Sequence, residues 1–181
     1  MKKIRDLKDQ IIYNKTENYL KKKHEKDINK KLKLIKKVLK KKDIKERYSY
    51  LYDLLCDYLD NEFKEKNICD FNCGICKKKR HLKENNIKKD TYINGCCYSY
   101  IDKKDCDHLN KDGSCNVKCL GCKLFTCNYL KKQGYKYRLK NIYLSRYFFN
   151  YWQRNFIEYT FRKPKEYVLK GILKRRSRIF R

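Results

Sequence analysis

Ten of the eleven cysteines in this chain of 181 residues lie between residues 69 and 127. Within that segment, Cys69-x3-Cys73-x2-Cys76 and Cys115-x3-Cys119-x2-Cys122 repeat one spacing, C-x3-C-x2-C. Closely spaced thiolates are ligands for Zn²⁺ and for iron–sulfur clusters. The segment therefore predicts a fold that is organised around metal. The ten candidate ligands are Cys69, Cys73, Cys76, Cys96, Cys97, Cys106, Cys115, Cys119, Cys122 and Cys127.

Disulfides and free structural thiols are the alternatives to metal binding for these cysteines. The first ten residues are strongly charged and no apolar signal segment follows them. No stretch approaches the roughly 18 apolar residues that a membrane helix needs. We therefore expect a cytoplasmic protein with reduced thiols, in which clustered cysteines hold zinc or a [4Fe–4S] cluster.

The net charge of +28 is distributed unevenly along the chain. Residues 1–47 carry a net charge of +12 and residues 131–181 a net charge of +14, whereas residues 48–130 carry only +2. A basic balance of this size favours polyanionic partners, nucleic acid before an anionic membrane surface. The candidate phosphate-binding residues are Lys36, Lys37, Lys40, Lys41, Lys174, Arg175, Arg176 and Arg178.

These patterns divide the chain into three regions. Residues 1–47 form a basic arm that is helical or partly disordered, and residues 48–130 combine a helix with the cysteine-rich metal-binding core. Residues 131–181 form a basic, aromatic helical region with a basic tail. The predicted fold class is mainly α, with a small irregular core that metal cross-links and with short strands, for example over 98–101.

Apolar residues recur at helical spacing in four places. The first stripe comprises Ile28, Leu32, Ile35 and Leu39, and eight lysines surround it between residues 30 and 42. Such a helix is either a solvated face, a phosphate-binding face or a membrane-surface helix. A second helix is predicted over 47–65, where Cys56 is interpreted as a small buried hydrophobe rather than a ligand.

A long aromatic helix is predicted over 141–161, and another helix begins at Pro164. Phe148, Trp152 and Phe156 share one face of the first of these helices, and we expect that face to pack in the core. An exposed apolar patch on it would instead indicate a surface that docks a protein partner.

The later cysteines also resemble a known family. Cys106-x2-Leu109 with Gly113-x-Cys115, followed by Cys119-x2-Cys122 and Phe125-x-Cys127, resembles the YkgJ-type family of zinc- or iron-chelating cysteine-rich proteins. The segment from Asn72 to Cys76 is similar to the early cysteine element of that family. The resemblance covers residues 69–127 and implies metal binding.

We find no P-loop, no Gly-rich dinucleotide loop and no H-E-x-x-H motif, and we therefore predict that the protein is not an enzyme. The C-x3-C-x2-C spacing also occurs in radical-SAM enzymes, but the chain is too short for their barrel. His81 and His108 are weaker candidates for metal ligands. The predicted function is a metal-binding protein that binds DNA or RNA through its basic regions, in replication or transcription control. The alternative is an iron–sulfur redox or metal-handling protein.

Overall fold

A computed structural model describes residues 2–70, 76–77, 80, 84–85, 98–99, 104–111 and 114–175. The described chain is mainly α-helical, as the sequence predicts, with one short antiparallel strand pair. Its elements are α1 Lys2–Lys22, α2 Ile28–Leu39, α3 Ile44–Glu65, β1 Tyr98–Ser99, β2 Lys104–Asp105, α4 Leu120–Leu124, α5 Asn128–Lys132, a 3-10 turn Leu139–Asn141, α6 Tyr151–Glu158 and α7 Lys165–Lys174.

Helices α2 and α3 form where the apolar periodicity predicts them. Helix α2 buries Leu32, Ile35 and Val38 on one face. Helix α3 begins at Ile44, three residues before the predicted start at residue 47. The earlier start follows from Asp43, whose side chain accepts a hydrogen bond of 2.8 Å from the backbone N–H of Glu46 and thereby caps the first turn.

A buried ion pair joins α1, α2 and α3. The Arg47 guanidinium, only 6% exposed, donates two hydrogen bonds of 2.8 and 3.0 Å to the Asp9 carboxylate. It also donates to the backbone oxygens of Leu39 at 2.7 Å and Lys41 at 3.2 Å, where α2 ends. A forked guanidinium satisfies several acceptors at once, so this single side chain fixes the N-terminal helices relative to α3.

The core draws on all three regions that the sequence delimits. Helix α3 lies at its centre and contacts α2, α4 and α7. Leu20 from α1 and Leu120 from α4 belong to the same buried cluster as Leu55 of α3. The basic N-terminal region therefore contributes helices to the main core. The fully buried members include Leu20, Ile35, Leu51, Tyr52, Leu55, Leu59, Leu120, Leu139, Leu144, Ile157 and Ile172.

The prediction of one long helix over 141–161 is wrong. The chain instead makes a series of turns after residue 141, and α6 begins only at Tyr151. Two local causes are visible: the Ser145 hydroxyl donates to the Leu139 carbonyl oxygen at 2.6 Å, which favours a turn, and Asn150 forms a capping box with Gln153.

The remaining predicted elements have mixed outcomes. Pro164 immediately precedes α7, which buries Val168, Leu169 and Ile172 as expected. The strand predicted at 98–101 is confirmed for Tyr98–Ser99, which pairs with Lys104–Asp105. Residues 92–93, also predicted as a strand, lie outside the described residues. Among the residues that are described, no helix has both the length and the apolar character needed to cross a bilayer.

Candidate functional site

The structure describes seven of the ten candidate cysteine ligands and arranges them in three groups. Cys73, Cys96 and Cys97 lie outside the described residues. None of the described cysteines forms a disulfide. The groups are Cys119 with Cys122, Cys69 with Cys76 and Cys127, and Cys106 with Cys115.

The first group is the knuckle of Cys119 and Cys122 at the start of α4. Cys119 is the N-cap residue of this helix, and its thiol donates to the Thr160 carbonyl oxygen at 3.7 Å. The Cys122 sulfur accepts a hydrogen bond of 3.3 Å from the Arg162 backbone N–H. The two thiols are therefore bound to the segment that connects α6 to α7.

The hydrogen-bond donors around this knuckle favour the thiolate form of Cys119. Its hydrogen bond with the Cys122 thiol, supplemented by backbone N–H groups of Cys122, Arg162 and Lys163, lowers the pKa of Cys119 to about 6, although burial acts in the opposite direction. A thiolate is the form that binds metal. The chemistry of this pair fits half of a tetrahedral zinc site.

Side chains of α3 bind the backbone and the Lys123 side chain of the knuckle segment. The Tyr52 hydroxyl accepts a hydrogen bond of 2.9 Å from the Leu120 N–H and donates to the Lys118 carbonyl oxygen at 3.3 Å, so it bonds on both sides of Cys119. The side chain of Lys123, 4% exposed, pairs with Asp60 of α3 at 2.5 Å. Sequence reasoning assigned neither residue this role, because both contacts span more than 60 positions.

Gly121 lies between the two cysteines for a packing reason. A Cβ at this position would lie 2.1 Å from the Thr160 carbonyl oxygen and 2.9 Å from that of Ile157. Glycine therefore allows α4 to approach the backbone at the end of α6, which a side chain would prevent. This close approach brings Cys119 and Cys122 to the 160–163 segment.

In the other two groups, Cys69 and Cys115 have raised pKa values. Burial, together with the neighbouring Cys76 and Cys127, raises the pKa of Cys69 to about 12. Burial also raises the pKa of Cys115, which lies near Cys106. An isolated antiparallel bridge between Leu109 and Cys115 closes the turn that carries these two cysteines.

Within the described ranges, no three His, Cys, Asp or Glu side chains lie close enough together to hold one metal ion. The cross-linking of the core by metal therefore stays a prediction, and three of its ten ligands are not described. Of the other candidates, His108 is exposed and His81 is not described. Cys56 is fully buried in the core, as predicted.

The N-terminal lysines that are predicted to bind phosphate lie on the outer face of α2 or directly after its end. Lys36, Lys37 and Lys40 are exposed opposite the buried stripe. None of the ion pairs seen in the described structure involves any of these three residues. Lys41 differs, because it pairs with Glu46 at 2.7 Å. The first three residues are therefore the ones whose charge is available to a phosphate.

The C-terminal candidates are described only in part. Lys174 and Arg175 are exposed at the end of α7, whereas Arg176 and Arg178 lie outside the described residues. The Arg175 guanidinium lies 3.9 Å from the centroid of the Phe156 ring. Arg175 therefore belongs to an aromatic surface as well as to a basic one.

That surface is an open cleft of about 500 Å³ between α6, the 160–163 segment and α7. The prediction that Trp152 packs in the core is wrong, because its side chain is 69% exposed at the rim of the cleft. Phe148 is buried as expected and Phe156 is half-buried. The helical spacing of these rings did not reveal their exposure, because α6 is only eight residues long and faces solvent on one side.

Comparisons of the chain with protein-family models, with curated proteins and with solved structures found no match.

Proposed function

We propose that this protein binds nucleic acid through its basic surfaces and that its cysteine segment holds zinc. Nucleic-acid binding is supported mainly by the lysine-rich face of α2. Residues 28–42 contain eight lysines and no acidic residue. Because Leu32, Ile35 and Val38 are buried, the opposite face of α2, which carries the lysines, points towards solvent. Exposed lysines at this density attract the phosphate backbone without reading its sequence.

The position of α2 supports this proposal further. The helix is packed into the main core and fixed by the Arg47–Asp9 pair, so its lysines are presented from a rigid element. A rigid row of cations loses less conformational freedom on binding than a flexible tail does. The proposed phosphate-binding surface is therefore part of the folded protein and not of a disordered arm.

The second half of the proposal concerns zinc. Cys119 and Cys122 would supply one pair of thiolates, and Cys69, Cys73, Cys76 and Cys127 are the candidates for a further site. The lowered pKa of Cys119 and the resemblance to a metal-chelating family support this assignment. Zinc would contribute cross-links that stabilise a segment with few aliphatic residues.

Nucleic-acid binding is tested by its dependence on salt. We expect the affinity for duplex DNA to fall steeply with salt, and Lys36→Gln/Lys37→Gln/Lys40→Gln to reduce the slope of log K against log salt by about 0.9 for each phosphate that is no longer neutralised. The matched control removes three exposed charges from the near-neutral region, Lys64→Gln/Lys77→Gln/Lys111→Gln. Equal slopes in the two triple variants, or binding that does not respond to salt, would contradict the proposal.

Metal content is tested by elemental analysis with an absorption spectrum, on protein purified without air. Zinc with no visible band supports the proposal. Iron and sulfide with a broad visible band would replace it with the iron–sulfur redox alternative. Oxidised thiols with neither metal would overturn the proposal that the cysteines hold zinc. Nucleic-acid binding would still be decided by the salt-dependence experiment.

A further inference from the structure

The aromatic cleft presents several ring faces that the fold leaves uncovered. Trp152, Tyr159 and Tyr167 are 69%, 73% and 51% exposed. Large rings at this exposure are uncommon on a surface that makes no contacts, and their clustering around one cavity indicates a binding site. The rings come from α6, from its C-terminal end and from α7, so the packing of the two helices creates the cleft.

The floor of the cleft is the ring of Phe156, which lies directly against α7. A Cβ on Gly171 would lie 2.2 Å from two carbons of this ring. The ring of Tyr167 is tilted by 32° to it, with the centroids 6.2 Å apart. A flat ligand that enters between Trp152, Tyr159 and Tyr167 would therefore meet an aromatic surface on several sides.

Cations border the cleft on two sides. The Lys163 ammonium lies 5.7 Å from the centroid of the Tyr167 ring, and the Arg175 guanidinium lies over Phe156. No carboxylate of the described chain forms an ion pair with either cation. Residues 151–175 contain seven Lys and Arg against two Asp and Glu, a net charge of +5. An acidic or anionic ligand is therefore favoured over a neutral apolar one.

One further group faces the cleft. The side-chain amide of Asn155 lines it and makes no hydrogen bond with another described residue. An amide offers both a donor and an acceptor to the edge of a flat heterocycle. Rings and flanking cations are the combination that binds single-stranded nucleic acid, and the Asn155 amide adds a hydrogen-bonding group beside them.

We propose that the cleft between α6 and α7 binds an unpaired nucleobase of single-stranded DNA or RNA. The base lies against Trp152, Tyr159 and Tyr167, and its adjoining phosphates contact Lys163 and Arg175. This proposal rests on the proposed function and adds to it a preference for single strands. Charge complementarity favours this occupant over the apolar helix of a protein partner, which would leave two cations at the rim unpaired.

Trp152 is the single tryptophan of the chain, so intrinsic tryptophan fluorescence reports on the cleft alone. The probes are a thymidine oligonucleotide of about ten residues, the uridine equivalent, the corresponding duplex and an abasic oligomer of equal charge. We expect a base-containing single strand to quench Trp152, and the duplex and the abasic oligomer to bind without quenching. Anisotropy of a labelled strand measures binding separately.

The variants Tyr159→Ala and Tyr167→Ala remove exposed rings and leave the core intact. Each is expected to weaken single-strand binding by about 5- to 100-fold, the range of one base–ring stack, and to leave duplex binding unchanged. Tyr135→Ala is the control, since Tyr135 is partly exposed and does not line the cleft. Circular dichroism verifies the fold of each variant.

The outcomes separate the two proposals. Strands that bind without quenching Trp152, and with equal affinity for all three variants, would overturn the cleft and leave the basic face of α2 as the binding site. A Trp152 signal that changes with protein concentration but not with oligonucleotide would also overturn it, since a second copy of the chain would then cover the cleft. Absence of binding to every nucleic acid would overturn both proposals.

Discussion

The face of α2 and the cleft between α6 and α7 are both basic, but they offer different chemistry. Helix α2 presents lysines opposite a buried stripe, so it can contact phosphates alone. The cleft interleaves its cations with exposed rings and can contact bases as well. Net charge therefore indicates a nucleic-acid partner, whereas the rings between the charges would decide whether single strands or duplexes are preferred.

The two surfaces are also held in place by different interactions. Helix α2 depends on the buried fork of Arg47 on Asp9, and the cleft depends on close backbone packing at Gly121 and on contacts with two thiols. A substitution at Arg47 should therefore change the position of the α2 face, and a substitution at Gly121 should change the cleft, each without affecting the other surface.

The largest expected effect is that of Arg47→Ala. This change leaves the Asp9 carboxylate and the Leu39 carbonyl without their partner, and we expect it to lower the free energy of unfolding by about 3 kcal/mol. Urea denaturation measures that loss. Binding of duplex and single strands should weaken together, while Trp152 quenching at saturation stays unchanged. A stable variant with normal binding would show that α2 is held by its apolar stripe alone.

Gly121→Ala should have the next largest effect. The new methyl group would meet the Thr160 carbonyl oxygen, which belongs to the backbone and cannot rotate away. We expect a loss of about 2 kcal/mol in denaturation, together with a changed Trp152 emission spectrum. Duplex binding at the α2 face should persist in the folded fraction. An unchanged spectrum would mean that the 160–163 segment does not determine the shape of the cleft.

Gly171→Ala should cost less than Gly121→Ala. Here the added methyl group meets the half-buried ring of Phe156, a side chain that can shift towards the cleft, and alanine favours a helix more than glycine does by about 1 kcal/mol. We therefore expect a stability change within about 1 kcal/mol of zero. Because the floor of the cleft moves, titration with the single strand should show weaker binding. Stability loss as large as that of Gly121→Ala would place Phe156 in the rigid core.

The smallest effect is expected from mildly alkaline pH. Burial raises the pKa of Cys56 to about 12, so the folded chain holds this proton more tightly than the unfolded chain does. The resulting stability is complete below about pH 8 and is lost as the pH rises towards 12, by about 1 kcal/mol between pH 8 and 9.5. Cys56→Ala should flatten this part of the pH profile, measured by urea denaturation. An equal slope in both proteins would assign the effect to other groups.

Sequence reasoning succeeded where a single period determined the outcome. The stripe of α2 and the burial of Cys56 in α3 follow from apolar spacing along one helix. The helix over 141–161 was mispredicted because ring spacing suggested a helix, whereas Ser145 and Asn150 form local hydrogen bonds that end it. The exposure of Trp152 could not be predicted, since it depends on which helix packs against α6.

The candidate site divides in the same way. Spacing identified the Cys119–Cys122 knuckle, and the structure brings these two residues together. Their hydrogen-bond partners at residues 160 and 162 lie about 40 positions away, and no local pattern connects them. The excess of cations over acids in residues 151–175 was the sequence signal for the cleft, and of the residues that line it only Arg175 was among the predicted phosphate contacts.

In the proposed complex, the hydrogen bonds from the 160–163 segment to the knuckle couple the chemistry of the two thiols to the binding of the strand. Thr160 and Lys163 line the cleft, and the same short segment contacts both thiols. A reagent that alkylates Cys119 or Cys122 would break these hydrogen bonds and displace a wall of the cleft, and a bound strand that fixes this wall would in turn disfavour the alkylated state by the same coupling free energy. Protection of two cysteines by an oligonucleotide that never touches them would be the signature of this coupling.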